Sequence, residues 1–173
     1  PASLLTPMAA SLGVSEGVAG QSVTATALVA LVTGLLITSA TKSIDRRWVL
    51  MFFSVLQIIS SLMVAFAPSL HVLLMGRLLL GVAIGGFWAM STATAMRLVP
   101  ASDVPKALTI IFSGVSIATV VAAPLGSYLG SLIGWRNVFI LCVVPSALAL
   151  LWQLWVLPSM RPENSGNLST LLR

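Results

Sequence analysis

The spacing of charges constrains this chain more than any other feature. No residue is charged between Glu16 and Lys42, between Arg47 and His71, between Lys106 and Arg136, or between Arg136 and Arg161. Between His71 and Arg97 the one charge is Arg77. A helix needs about 20 mostly apolar residues to cross roughly 30 Å of hydrocarbon. These runs have that length, and they are continuous rather than alternating segments of about ten residues, which argues for helices over barrel strands. They predict an all-α membrane protein with five complete transmembrane helices near residues 18–41, 48–67, 71–96, 105–130 and 136–157.

Composition agrees. Only 8% of the 173 residues are charged and 58% are hydrophobic, whereas soluble domains carry roughly 25% charged residues. The net charge of +5 does not imply nucleic acid, because the nine Lys and Arg are spread along the chain and build no basic patch. They sort by side instead. Lys42, Arg46, Arg47, Arg97, Lys106, Arg161 and Arg173 fall on one side of the predicted membrane, and Arg136 alone falls on the other. Cytoplasmic loops collect basic residues, so the first group faces the cytoplasm, the first complete helix runs inward and the amino terminus lies outside.

The stretch "PASLLTPMAASLGVSEG" (1–17) begins apolar and turns loop-like, and the chain starts with Pro rather than Met. We read it as the tail of an earlier helix plus a connection, so that a sixth span precedes the five. At the other end "PSMRPENSGNLSTLLR" (158–173) is polar, with Pro, Asn, Ser and Gly, and reads as a linker. Cys142 lies alone in an apolar run and is expected to be a small buried hydrophobe. Trp48, Trp135, Trp152 and Trp155 fall near span ends, where tryptophans anchor at the membrane interface.

Two patterns suggest moving parts. "SIDRRWVL" (43–50) and "LIGWRNVF" (132–139) share Ile44/Ile133, Arg47/Arg136 and Val49/Val138, one on each side of the membrane. Three matches in eight arise by chance or from an inverted repeat, a device of transporters. Small residues also recur every fourth position: Gly81, Gly85, Ala89 and Ala93 in one helix, Gly114, Ala118, Ala122, Gly126 and Gly130 in the next. Such faces let membrane helices approach closely; they serve packing alone, or packing and sliding. Pro124 within the second track should bend its helix.

These same residues carry a family resemblance. "APLGSYLG" (123–130) resembles the fifth-helix signature of major facilitator superfamily antiporters, and "GRLLLGVAIGG" (76–86) resembles their fourth-helix signature, an Arg followed by glycines. The chain is similar to the drug:proton antiporter branch. "SEGVAGQSVTATA" (15–27), "GGFWAM" (85–90), "MRLVP" (96–100), "VPKAL" (104–108) and "IGWRNVF" (133–139) resemble in particular the bacterial purine ribonucleoside efflux pumps. The resemblance implies a fragment of a twelve-helix fold. Residues 1–157 would be its N-terminal helical half, with a truncated first helix, and 158–173 the start of the cytoplasmic linker. It further implies proton-coupled efflux of a small polar solute such as a purine nucleoside, with sugar or multidrug efflux as the alternative. The partners would be that solute, protons, the lipid bilayer and a C-terminal half of the same chain, in a bacterial cytoplasmic (inner) membrane. No cofactor, metal or nucleic acid is implied. The family loop Gly-x-x-x-Asp-Arg-x-Gly-Arg-Arg is degraded around Asp45, Arg46 and Arg47, which leaves these three as a solvated loop cluster.

Arg77 is the candidate of most interest. It enters its helix about six residues, or roughly 9 Å, from the outer side. Two placements fit: snorkelling to the interface, or facing a watery central cavity, since a charge at the bilayer centre costs at least ~2.5–3.5 kcal/mol. Glu16, Asp45, Asp103 and Glu163 all fall in loops or at helix ends, so a proton-carrying carboxylate is expected from outside this segment. Gln21, Thr24, Thr26, Phe87, Trp88 and Ser91 are the other candidates to line a cavity, offering the amide, hydroxyl and aromatic groups a purine-like solute needs. A membrane enzyme would need convergent nucleophile, base or metal residues; one His, one Cys and peripheral acids offer none, so no catalytic residue is assigned. A structural membrane subunit would need only the small-residue helices.

Overall fold

The computed structural model describes residues 4–160. Among them are six helices: α1 (Leu5–Leu12), α2 (Glu16–Ala40), α3 (Arg46–Ala65), α4 (Leu70–Leu98), α5 (Val104–Ile133) and α6 (Trp135–Val156). The last five are long and apolar enough to cross a membrane, and their ends fall within three residues of the sequence expectations. The linker expected over 158–173 lies outside the described residues beyond Met160.

Local chemistry sets the breaks. Gly13 ends α1 in the left-handed region (φ +66°), and Val14 N–H bonds Ala9 O (3.1 Å), a glycine C-cap closing the last turn. Ser15 caps α2 by accepting from Val18 N–H (3.3 Å), and Asp45 caps α3 by accepting from Arg47 N–H (2.9 Å). Gly134 alone separates α5 from α6 at φ +81°, a conformation that suits glycine.

α4 is the hub. One side packs on α2, where a Cβ at Gly81 would meet Thr26 O at 2.6 Å and one at Gly85 would overlap the Ala30 backbone. The other side packs on α3. There a Cβ at Gly76 would meet Val64 at 2.9 Å, one at Gly86 would strike the Phe53 ring, and Ser60 Oγ donates to Gly76 O (2.7 Å). α6 runs antiparallel to α3. Two apolar cores result. Leu4, Met8, Val64, Leu73, Trp135, Val138 and Phe139 form the one at the Arg136 end. Val49, Leu50, Phe53 and Met90 form the one nearer the Arg97 end.

α5 stands apart, with no buried residue. Gly114 faces open space, Gly126 lines an apolar groove with α6, and Gly130 meets the Leu4 side chain. Pro124 sits exposed within α5, which continues to Ile133. The outer surface is apolar: Leu35, Val120, Trp152 and Trp155 are 70%, 75%, 70% and 89% exposed. A soluble protein rarely shows such a surface, whereas a bilayer requires it.

Two expectations are corrected. Trp135 is not an interface anchor; it is 5% exposed and donates its Nε1–H to Ser11 Oγ (3.0 Å) in the core beside α1. Cys142 is not buried but exposed, on the wall of the apolar groove between α5 and α6. Both errors have one cause. A membrane helix is apolar all round, so hydropathy does not say which side faces its neighbours.

Candidate functional site

Arg77 does not snorkel. Its side chain is 2% exposed, the largest fully buried side chain among the described residues. One helical turn before it, Leu73 belongs to the core at the Arg136 end. The guanidinium carbon lies 5.3 Å from the centroid of the Phe139 ring on α6. A desolvated cation over an aromatic face is attracted by about 2 kcal/mol or more, which offsets only part of the cost of burying a charge. Nε and Nη2 have no hydrogen-bond partner among the described residues. The backbone at this point is tied to α2, for the single Thr26 hydroxyl proton is shared between Ser22 O (2.8 Å) and Arg77 O (3.1 Å).

Thr26 apart, the other candidates do not converge on Arg77. Trp88 and Ser91 lie eleven and fourteen residues beyond Arg77, about 20° and 40° around the helix from it, so the three share a face. Trp88 stacks on Phe112 of α5 (6.0 Å between centroids, 9° between planes), and Ser91 is half-buried. Phe87 turns the other way, against the Val49–Leu50–Phe53–Met90 core. Gln21 and Thr24 are exposed on α2, while Ala19 and Ser22 are its buried residues. The structure thus joins Arg77 to Phe139 and Trp88 to Phe112, but does not bring Gln21, Thr24 or Phe87 to either pair.

Phe139 and Phe112 were missed by sequence reasoning, whereas Thr26 was among the cavity candidates and does lie against the Arg77 backbone. Phe139 ends the "IGWRNVF" stretch, yet neither phenylalanine carries a charge or spacing that announces a role.

Asp45, Arg46 and Arg47 are not a solvated loop cluster. Besides capping α3, Asp45 accepts from Ser159 Oγ–H (2.6 Å) and Met160 N–H (3.0 Å), beyond the end of α6. Arg47 Nη2 donates to Leu154 O (2.8 Å) in the last turn of α6, and Ser54 Oγ lies 3.0 Å from Gln153 Oε1. Burial raises the Asp45 pKa. The hydrogen bonds from Ser159, Arg47 N–H and Met160 N–H, with the charge of Arg47, more than reverse this and hold the carboxyl below its ordinary value. Among the described residues no group of three His, Cys, Asp or Glu is placed to hold a metal ion.

The family described as "Major Facilitator Superfamily" matches residues 1–171. The chain is 58% identical over 165 residues to the proteins named "Purine ribonucleoside efflux pump NepI" of Salmonella typhimurium, Salmonella paratyphi B and Escherichia coli K12. Each alignment covers 95% of this chain and 42% of the relative's length.

Proposed function

The chain belongs to the major facilitator superfamily and is a multi-pass membrane segment of it, and from that premise we propose that the whole protein is a secondary transporter, not an enzyme. It exports a small polar solute, a purine nucleoside, in exchange for protons. The observation that carries this reading is the 58% identity to relatives named purine ribonucleoside efflux pumps, sustained over 95% of the chain. Residues 1–157 act as the N-terminal helical half and 158–173 open the linker to the other half, in a bacterial cytoplasmic membrane with the Arg97 end inside.

The roles follow from chemistry. Arg77 stays charged at any working pH and supplies two nitrogens, unpartnered among the described residues, to a buried position. It suits a polar solute or a carboxylate whose pKa it would lower. Trp88 and Phe112 offer a flat aromatic surface to a purine ring, and Ser91, Gln21 and Thr24 offer hydrogen-bonding groups. Gly81 and Gly85 seat α4 closely on α2, while Gly114, Pro124, Gly126 and Gly130 on α5 serve gating. Glu16 opens α2 and Asp103 precedes α5, so the proton-carrying acid comes from elsewhere in the whole protein.

The test is transport by the full-length protein in inverted membrane vesicles with an acid interior. Uptake of a radiolabelled purine ribonucleoside that a protonophore abolishes is expected. Uptake of a hexose or a cationic dye with none of the nucleoside would favour the alternative substrates, and uptake indifferent to the proton gradient would overturn the coupling.

A further inference from the structure

The Arg97 end of the bundle contains a separate cavity of about 180 Å³, several times the roughly 30 Å³ that one water occupies in the liquid. Three cations from three different places converge on it: Lys42 after the end of α2, Arg46 at the start of α3 and Arg97 in the last turn of α4. Arg46 and Arg97 are near enough for their charges to repel. Arg46 Nη1 is buried with no hydrogen-bond partner among the described residues. Arg46 also stands at a helix N-terminus, where the backbone dipole opposes a cation and favours an anion.

Among the described residues no acidic side chain lines the cavity. Met90 and Met160 are apolar walls, and the Thr41 hydroxyl donates its proton to Ile37 O (2.7 Å). Asp45, the neighbour of Arg46, spends its carboxylate on Arg47 N–H, Ser159 and Met160 N–H. Like charges held around a partly enclosed space, with a guanidinium nitrogen unpartnered among the described residues, favour an anion there. Two guanidinium forks and an ammonium suit the several oxygens of a phosphate group. The cavity lies at a helix end, the level at which lipid headgroups meet a membrane protein.

We propose that this cavity binds a phosphate group, gripped by Arg46 and Arg97 with Lys42 as the third cation. The phosphate belongs to an anionic phospholipid or to free phosphate in solution. The site does not depend on the identity of the transported solute.

The full-length protein in detergent, unfolded by heat with and without added probe, tests this. Wild type is titrated with short-chain phosphatidylglycerol, with inorganic phosphate, and with diacylglycerol of the same chain length as the uncharged control. Stabilisation by phosphatidylglycerol alone identifies a lipid headgroup, and stabilisation by inorganic phosphate as well identifies a free-phosphate site. Arg97→Gln is expected to raise the melting temperature without probe, because it relieves repulsion, and to weaken the probe's effect about tenfold. Arg46→Gln is read in parallel in case one variant does not fold. Lys106→Gln, at the same end but off the cavity, should leave the probe response unchanged. Equal response to phosphatidylglycerol and diacylglycerol without response to phosphate, or variants that respond like wild type, would overturn the proposal.

Discussion

Arg47 and Arg136 perform the same task at opposite ends of one helix pair. Arg47, the second residue of α3, donates to Leu154 O near the end of α6 (2.8 Å). Arg136, the second residue of α6, donates to Ala67 O just past the end of α3 (3.2 Å). Each cation meets carbonyls that a helix terminus leaves without partners. These are the two arginines matched in the inverted comparison of residues 43–50 with 132–139, and α3 and α6 are related as an inverted repeat would relate them.

The pair makes a quantitative prediction. Arg136 also lies over the Trp135 ring (4.3 Å) and its bond is part-buried, whereas the Arg47 bond is exposed. Arg136→Gln should therefore cost about 1–2 kcal/mol and Arg47→Gln about 1 kcal/mol or less. The sites are roughly 30 Å apart along a 20-residue helix, so the double variant should be additive within about 0.5 kcal/mol. Chemical or thermal unfolding of the four proteins in one detergent checks this.

Asp45 predicts a pH dependence. Its folded pKa is depressed below 3.8. Its contribution is thus complete above the unfolded value and is lost as pH falls through the lower, folded value. Asp45→Ala should cost about 0.5–2 kcal/mol near neutrality, as loss of a helix cap does. The gap to wild type should hold from about pH 7 to pH 5 and close below about pH 4, as melting curves across that range would register.

The glycines predict opposite signs for one substitution. Gly85→Ala drives a methyl into the Ala30 backbone and should lower the melting temperature or abolish folding. Gly114→Ala meets nothing within 4 Å and should be neutral or stabilise by up to about 1 kcal/mol through helix propensity. Melting temperatures of the purified variants decide between them.

Arg77 predicts a separation of activity from stability. Arg77→Met removes a buried cation that has no counter-ion among the described residues; such replacements are often neutral or stabilising. Transport should be lost while the melting temperature holds. Arg77→Lys keeps the charge but loses the planar group over Phe139, and should transport poorly. Vesicle uptake and thermal unfolding on the same preparations give both readings.

The spans were legible because membrane thickness dictates their length, and the chain's charges mark where each must stop. Arg77 was legible because a cation there is anomalous. Its neighbour was not, since the pairing with Phe139 depends on how α6 is rotated toward α4, sixty-two positions away in sequence. Trp135 and Cys142 were misjudged for the same reason. The Asp45 and Arg47 contacts reach more than a hundred residues along the chain, beyond anything a local motif encodes. The tracks fared unevenly. Gly81 and Gly85 lie in a tight seam, while Gly114, of identical spacing, touches nothing.

The hydroxyl of Thr26 rests on the main chain of the very residue that carries the submerged cation, just where Gly81 admits the α2 backbone. The guanidinium is therefore not mounted on a lone rod. Any motion of α4 in the proposed transport cycle must carry α2 along or break that contact, so the smallest piece that can travel intact is a pair of helices.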